Sequence, residues 1–431
     1  MPHPTSPQAA TPPGTVARAL RMIGPGIVLA LASVGASDMV TTLNSGAQYG
    51  MALVWVFVVG LILKYALNES IARLQLTGDK SFLSHLTQFG GRTFPVLLLV
   101  AELLIGLFFG AGVCSISTLI LMAIFPGLPF GITFAAVLGS AVVMLWIGRY
   151  SLVEKVMVGF AVLMFFGIVW LAAASVGVGD SAAEARNRLV PVLPATSLVT
   201  VLSLIGGVGG ATGIMAYTYF VREKGWTGRA WRTMVRTDLA VSYLLIGVFA
   251  VSMTAVGAFW LLAGEHRITS NSAVFDVGHI LGRQIGPVAH LFFLLSFFAV
   301  TYSSVLGGFQ GIAYVTGDCL RVARRYPHQD DAGHDMSAKA PEFRAALVWL
   351  AVCSVLILQT GRPVTLVLIY SAISSFVLPI LSTALLVIMN RSTTPADLRN
   401  GWLSNALLGA CLALFGFLCL LQLQETVAGL A

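Results

Sequence analysis

Asp38 lies near the middle of the first long apolar stretch of the chain, which runs from residue 24 to residue 50. Placing a carboxylate at bilayer depth costs from about 2.5 to more than 10 kcal/mol, so a carboxylate found there usually has a function. The neighbouring Gly35, Ser37 and Thr41 are small or polar, and such residues suit a break in a helix that lines a cavity. The function of the protein is therefore expected to involve this break.

A second apolar stretch contains a cluster of glycines. Five of them fall between Gly206 and Gly213, shortly before Met215. Each glycine weakens a helix interior by about 0.5–1 kcal/mol relative to alanine. Close helix packing explains one or two of them, whereas a break in the helix explains the cluster. Two such breaks, five helices apart, predict two inverted repeats in which the first and sixth helices are unwound at the midplane and bind substrate.

The composition predicts a helical membrane protein. The chain has 431 residues, of which 57% are hydrophobic and 10% are charged. We therefore expect an all-α integral membrane protein with eleven transmembrane helices and a LeuT-like, five-plus-five inverted repeat. The apolar stretches that are long enough to span a bilayer are 22–47, 51–76, 95–124, 128–148, 151–177, 195–221, 236–262, 285–316, 343–361, 364–390 and 402–424.

We predict four parts along the chain. The proline-, alanine- and threonine-rich start is expected to be disordered in the cytoplasm, and the polar stretch within the second repeat is more typical of a solvated loop than of a metal site. The parts are the N-terminal segment 1–17, the first repeat (helices 1 to 5) at 18–178, the second repeat (helices 6 to 10) at 194–390 with its cytoplasmic loop 325–342, and an additional eleventh helix at 402–424.

The net charge of +7 indicates how the chain is oriented in the membrane. With the N-terminus in the cytoplasm, 19 of the 25 lysine and arginine residues fall inside, as the positive-inside rule requires. We therefore predict a multi-pass protein of a bacterial-type inner (plasma) membrane, with a cytoplasmic N-terminus and an external C-terminus. The distribution of charge gives no indication of a nucleic-acid partner. Lys64 stands apart because it lies within the second span.

Five short motifs follow one another in a defined order. They are Gly24-Pro25-Gly26 through Gly50 in the first span, Arg73-Leu74-Gln75-Leu76-Thr77-Gly78 after the second, Ala101-Glu102-Leu103 in the third, Ser303-Ser304-Val305-Leu306-Gly307 in the eighth and Val377-Leu378-Pro379 in the tenth. Their order and spacing resemble the Nramp family of proton-coupled divalent metal transporters. The resemblance covers most of the chain.

The resemblance implies a metal site at the two breaks. The family's first-helix motif, Asp-Pro-Gly-Asn, aligns with Gly35 to Asp38, so that Gly35 replaces the aspartate and Asp38 stands at the asparagine. The sixth-helix motif, Ala-x-x-Met-Pro-His, places Thr212 at a backbone ligand and retains Met215 as the methionine ligand. The implied metal ligands are Asp38, Met215 and the carbonyls of Gly35 and Thr212, with Ser37 in the wider substrate site.

Other family positions are occupied by residues that do not carry protons at neutral pH. The sixth-helix histidine is Tyr217, and the acidic positions of the third helix are Phe109 and Gly112. The glutamines of the tenth and eighth helices are Ser371 and Tyr302, which with Tyr217 complete the predicted substrate site. The resemblance therefore implies weakened or absent proton coupling.

Glu102 is the remaining third-helix carboxylate. It is a candidate coupling residue, and pairing with a basic or polar neighbour is an equally good explanation.

Two kinds of substrate remain open. Oxygen ligands with one thioether favour a divalent metal of the Mn, Fe or Mg class, held partly hydrated because a single carboxylate supplies little charge. Met215 is alternatively a flexible core side chain. The alternative substrate is a small non-metal solute or an oxyanion, bound by tyrosine hydroxyls and by backbone amides between Gly209 and Gly213.

Other classes of function fit less well. An inert structural or sensory bundle gains nothing from a buried carboxylate and two paired breaks. The predicted spans carry no nucleophile–base pair, no phosphate-binding loop and no His/Cys metal cluster, so we expect a transporter without a cofactor and not an enzyme. The expected partners are a small inorganic ion or polar solute and the lipid bilayer, and the oligomeric state stays open.

Overall fold

The structure is a computed structural model that describes most of the chain. The described residues are 22–78, 80–175, 210–261, 285–325, 335–358 and 363–430, with a few isolated positions elsewhere. Most of the predicted N-terminal segment 1–17, residues 205–209 of the glycine cluster and residues 326–334 of the predicted loop lie outside this part of the chain.

The first half of the described chain forms seven helices. They are α1 (Pro25–Ser33), α2 (Ala36–Tyr49), α3 (Val54–Gln75), α4 (Phe82–Gly90), α5 (Thr93–Ile124), α6 (Phe130–Trp146) and α7 (Tyr150–Ser175).

The second half forms six further helices, with a short 3-10 turn before the second of them. They are α8 (Ala211–Glu223), α9 (Arg232–Leu261), α10 (Pro287–Arg325), α11 (Pro341–Ile357), α12 (Pro363–Ile388) and α13 (Trp402–Leu430).

These helices coincide with the predicted spans. Each of the eleven stretches contains a described helix or, for the sixth stretch, its second half. Within the described ranges, seven helices are long and apolar enough to cross a membrane, and α6 is a shorter apolar helix. Large apolar side chains are exposed along them, among them Ile132, Val162 and Leu244. Such side chains on a membrane protein face lipid.

The first span is broken where the sequence predicts. α1 ends at Ser33 and α2 begins at Ala36, and between them Val34 and Gly35 have extended backbone conformations. In the sixth span, α8 begins directly after Gly210, which is also extended. The first span is thus a pair of half-helices, and the second half of the sixth span is the separate helix α8.

The half-helix α2 packs closely on α9. A Cβ atom on Gly46 would overlap the carbonyl oxygen of Thr254, and one on Gly257 would overlap the carbonyl oxygen of Leu43. Small residues at both positions let the two backbones touch, which is a common way for helices to associate in membranes.

Two elements differ from the prediction. α10 continues from its predicted end at 316 to Arg325, and Asp318 and Arg321 form a buried ion pair within this extension. The sequence analysis places no helix between the second and third spans, whereas the structure has α4 there. Ser81 caps α4, because its Oγ accepts the backbone N–H of Ser84 at 3.1 Å. Capping and tertiary packing stabilise both elements without a long apolar run.

Candidate functional site

Asp38 occupies the first turn of α2. Its Oδ2 accepts the backbone N–H of Gly35 at 2.8 Å, and only 4% of the residue is exposed. The carboxylate therefore satisfies a free donor at the start of α2 and lies at the positive end of the helix dipole. Both effects stabilise the negative charge of Asp38 at bilayer depth.

Helix α10 passes directly beside this break. The position of a Cβ atom on Gly35 would be 3.3 Å from Ser304 Oγ, and a Cβ on Gly307 would overlap that of Ala32. The two glycines allow α1, the break and α10 to approach closely. Ser304 thereby adds a hydroxyl to the oxygen atoms around the break.

The end of α1 also presents acceptors. The last four carbonyl groups of a helix lack intrahelical partners. At the end of α1, the N–H of Val34 donates to the carbonyl oxygen of Ala30 and so satisfies one of the four. Within α1, the carbonyls of Leu31, Ala32 and Ser33 thus remain for other partners. A helix C-terminus carries partial negative charge and attracts cations.

The start of α8 lies against α12. The backbone N–H of Ala211 donates to Ser374 Oγ at 3.1 Å. The predicted site residue Ser371 is partly buried and lies one turn before Ser374 on α12. Because residues three apart share a helix face, Ser371 belongs to the face of α12 that meets α8.

The two broken spans meet each other. A Cβ atom on Gly213 would lie 3.3 Å from Ser33 Oγ and 3.8 Å from Leu29 Cδ1, so the first turn of α8 contacts the end of α1. Thr212 and Met215 are both buried on α8. Ser37 lies in the first turn of α2, next to Asp38.

Glu102 joins the site through Thr212. The hydroxyl of Thr212 donates to Glu102 Oε1 at 2.8 Å. Glu102 is completely buried, and its Oε2 has no hydrogen-bond partner among the described residues. This hydrogen bond between α8 and α5 links Glu102, the candidate coupling residue, directly to Thr212, a predicted ligand position.

The hydroxyls of Tyr217 and Tyr302 lie away from the breaks. Tyr217 donates to Asp238 Oδ2 on α9 at 2.7 Å. The Tyr302 hydroxyl lies 2.6 Å from Ser140 Oγ on α6, and its ring stacks on Phe298. The structure therefore does not bring these two predicted site hydroxyls to Asp38.

The two third-helix positions that are acidic in the family are occupied here by residues that pack against their neighbours. Phe109 contacts Tyr370, with ring centroids 5.0 Å apart, and covers α10 so closely that a Cβ atom on Gly308 would overlap its ring. Gly112 is buried one turn further along α5. Neither position offers a group that carries a proton.

Sequence analysis did not assign Lys64 to the site. Its side chain is buried in α3, with 1% of the residue exposed, and its ammonium group lies 5.9 Å above the ring of Phe415. The signal for Lys64 was a single basic residue inside an apolar span. Ser304 belongs to the motif Ser303-Ser304-Val305-Leu306-Gly307, so the sequence does point to it. The contact of Ser374 with α8 depends on tertiary packing alone.

The overall fold is that of a LeuT-type membrane transporter. The manganese transporter of Eremococcus coleocola, in complex with an aromatic bis-isothiourea substituted compound, superimposes with a TM-score of 0.72 at 13% identity, over 98% of this chain and 90% of its own. MhsT in complex with L-phenylalanine gives a TM-score of 0.64 at 13% identity, over 92% of this chain and 97% of its own. These similarities confirm the predicted all-α, LeuT-like class.

The comparison of sequences identifies a family within this fold. The family described as "Natural resistance-associated macrophage protein-like", or Nramp, matches residues 26–425, and this chain belongs to it. The divalent metal cation transporter MntH of Pectobacterium carotovorum subsp. carotovorum (strain PC1) is 24% identical over 303 residues, which is 67% of this chain and 70% of the relative. The MntH of Yersinia pestis (strain Pestoides F) is 26% identical over 306 residues, with the same coverage of 67% and 70%. The predicted family resemblance is therefore confirmed, and the chain is a multi-pass membrane protein of a transporter family.

Proposed function

We propose that this protein is a secondary transporter that carries a divalent metal ion across the membrane by alternating access. The observation that carries the proposal is Asp38, a buried carboxylate at the break of the first span, where the end of α1 contacts the start of α8. The relatives described as divalent metal cation transporters support the substrate class.

The proposed site combines one charge with several neutral ligands. Asp38 supplies the negative charge, Met215 supplies a thioether, and the carbonyls of Gly35 and Thr212 supply oxygen. The free carbonyls at the end of α1 and the hydroxyl of Ser304 support a site that retains part of the ion's water shell, as a hard dication prefers. The thioether shifts the preference towards softer ions such as Mn²⁺.

Alternating access requires the cytoplasmic end of α1 to separate from its neighbours. At that end, the backbone N–H of Gly24 donates to Asp238 Oδ1 at 3.1 Å, which supports a closed state on this side. The ion pair between Lys224 and Glu154, at 2.7 Å, lies beside the same residue. We propose that these contacts break when the site opens to the cytoplasm.

We also propose that proton coupling is weak or absent. Phe109, Gly112 and Tyr217 supply no proton carrier at the family's acidic and histidine positions, and their packing supports this view. Glu102 is the candidate for any residual coupling, since it contacts Thr212.

The asymmetry of basic residues supports a cytoplasmic N-terminus and an external C-terminus. Single cysteines placed at Ser6 and Ala431 in a variant with all five native cysteines replaced test this orientation. A membrane-impermeant thiol reagent added to intact cells is expected to label the C-terminal cysteine alone.

Uptake by proteoliposomes tests the transport proposal. We expect the wild type to accumulate Mn²⁺ without substrate-dependent acidification of the lumen, as read by a trapped pH dye. Asp38→Asn is expected to abolish uptake, and Asp397→Asn, which removes an exposed carboxylate, serves as the matched control. Unaltered uptake by Asp38→Asn contradicts the proposed site, and strong acidification that depends on Mn²⁺ contradicts the loss of coupling.

A small polar solute is the second candidate substrate. The buried ammonium group of Lys64 on α3 favours it, because a positive charge within the spans repels a dication. This candidate predicts no saturable Mn²⁺ uptake by well-folded protein.

A further inference from the structure

Helix α8 begins without a capping side chain of its own. The residue before it is Gly210, which has an extended backbone and offers no side chain to the first turn. The first four N–H groups of a helix have no acceptor within the helix, and Ser, Thr, Asp or Asn at the preceding position often supplies one. A side-chain acceptor at the start of α8 therefore has to come from another part of the chain.

That acceptor comes from α12. The backbone N–H of Ala211, the first residue of α8, donates to Ser374 Oγ at 3.1 Å. Ser374 is 6% exposed and Ala211 is completely buried, so bulk water has little access to this bond. A buried N–H group that lacks an acceptor is destabilising. Ser374 thus caps α8 from a neighbouring helix.

The glycine before α8 allows this close approach. A Cβ atom on Gly210 would lie 3.1 Å from Ser374 Oγ, which is tighter than an ordinary van der Waals contact. A serine at this position could cap the helix locally, whereas glycine leaves room for the hydroxyl group of α12. The start of α8 therefore depends on a tertiary contact instead of a local one.

The first turn of α8 carries residues of the proposed substrate site. Thr212 directly follows Ala211, and Met215 lies about one turn further on; both are buried. The hydroxyl of Thr212 donates to Glu102 Oε1 on α5 at 2.8 Å. Because this bond and that of Ala211 run from adjacent residues to different helices, together they restrain the position and the rotation of α8. The direction of the Met215 thioether depends on that rotation.

We propose that Ser374 is a positioning residue of the substrate site, which caps α8 from α12 and so holds the carbonyl of Thr212 and the thioether of Met215 in the orientation that binds the ion. This inference rests on the proposed function, since it concerns the same site. Ser374 acts through α8 and is not itself a ligand. Without its hydroxyl, the N–H of Ala211 is buried without this acceptor and the first turn of α8 loosens. The thioether then loses its fixed direction, and discrimination between soft and hard ions weakens.

Isothermal titration of purified protein with Mn²⁺, Cd²⁺ and Mg²⁺ tests the proposal. We expect Ser374→Ala to bind Mn²⁺ about tenfold more weakly than the wild type, which is the factor that corresponds to the loss of a typical helix cap. The ratio of Cd²⁺ to Mg²⁺ affinity is expected to fall as well. Ser374→Thr keeps a hydroxyl acceptor and is expected to restore both properties.

A second serine of α12 provides the matched control. Ser382 is also completely buried, but its Oγ donates to the carbonyl oxygen of Leu378 within its own helix. Ser382→Ala is therefore expected to bind all three ions as the wild type does. If Ser374→Ala does not fold, Ser374→Cys replaces it, because a thiol fills a similar volume and is only a weak acceptor.

Amide hydrogen exchange of the peptide that begins α8 gives a readout that does not depend on the ion. We expect exchange there to be about tenfold faster in Ser374→Ala than in the wild type, and unchanged in Ser382→Ala.

A folded Ser374→Ala or Ser374→Cys variant with the affinity and ion preference of the wild type overturns the positioning role and leaves the proposed function intact. Equal losses in Ser374→Ala and Ser374→Thr also overturn it, since the hydroxyl is then not what matters. An absence of dication binding in folded wild type overturns the proposed function and this inference with it.

Discussion

Asp38 and Met215 have different tasks in the proposed site. Asp38 supplies charge, which any cation senses, whereas the thioether of Met215 distinguishes soft ions from hard ones. Both side chains are buried on half-helices that meet at the breaks. Removing each of them is therefore expected to affect different properties of binding.

Replacement of Met215 tests the selectivity. We expect Met215→Ala to lower the ratio of Cd²⁺ to Mg²⁺ affinity by about tenfold, which corresponds to about 1.4 kcal/mol. Titration calorimetry with the two ions measures the ratio. Met253→Ala removes a buried methionine from α9 and controls for lost packing. Equal ratios in both variants and the wild type contradict a ligand role for Met215.

The sequence reveals the chemistry of single residues better than their contacts. Asp38 is conspicuous because small and polar residues interrupt an apolar run, and this signal is local. The directions of the Tyr217 and Tyr302 hydroxyls depend on how α8 and α10 are rotated against their neighbours. That rotation results from tertiary packing, and so does the position of the Lys64 ammonium group over the Phe415 ring.

At the scale of elements, close packing holds the half-helix α2 against α9. We expect Gly46→Ala to lower the free energy of unfolding by about 1–3 kcal/mol, since a methyl group there overlaps the backbone of α9. Thermal unfolding in detergent measures the effect. Gly139→Ala on α6 is the control, because no atom lies within 4 Å of its new methyl group. Equal melting temperatures of the two variants contradict this packing.

The N-terminal end of α1 is held by Asp238 on α9. Asp238→Ala leaves the N–H of Gly24 without its acceptor and leaves the Tyr217 hydroxyl only the carbonyl oxygen of Val235, at 3.5 Å. An unsatisfied buried donor costs about 1–3 kcal/mol. We expect amide hydrogen exchange across α1 to become about tenfold faster. Mass spectrometry of the peptide that contains α1 measures the rate. An unchanged rate in folded protein contradicts a role for Asp238 in closing this end.

Helix ends are less predictable than helix positions. α10 extends beyond the apolar run because Asp318 and Arg321 pair with each other, and the Tyr219 hydroxyl on α8 donates to Asp318 at 2.6 Å. α4 forms because Ser81 caps it and α5 covers it. Neither helix end follows from hydrophobicity alone, since polar contacts stabilise both, and one of those at α10 comes from the distant Tyr219.

At the scale of the whole molecule, the fold follows from the pattern of apolar stretches and two glycine-containing breaks. Bilayer thickness fixes the length of each span, and free backbone groups within the bilayer require a cavity, so few architectures fit the sequence. The substrate is less constrained, because tertiary packing decides which side chains join the site, as the contact between Thr212 and Glu102 shows.

Calorimetric titration of Mn²⁺ into purified wild type and Asp38→Asn tests the central claim most directly. The account predicts saturable binding to the wild type and to Asp397→Asn, and binding to Asp38→Asn that is about 100-fold weaker, because the charge of the site is lost. Melting temperatures establish that each variant is folded. A flat titration of folded wild type, or undiminished binding to Asp38→Asn, contradicts a metal site at the break of the first span.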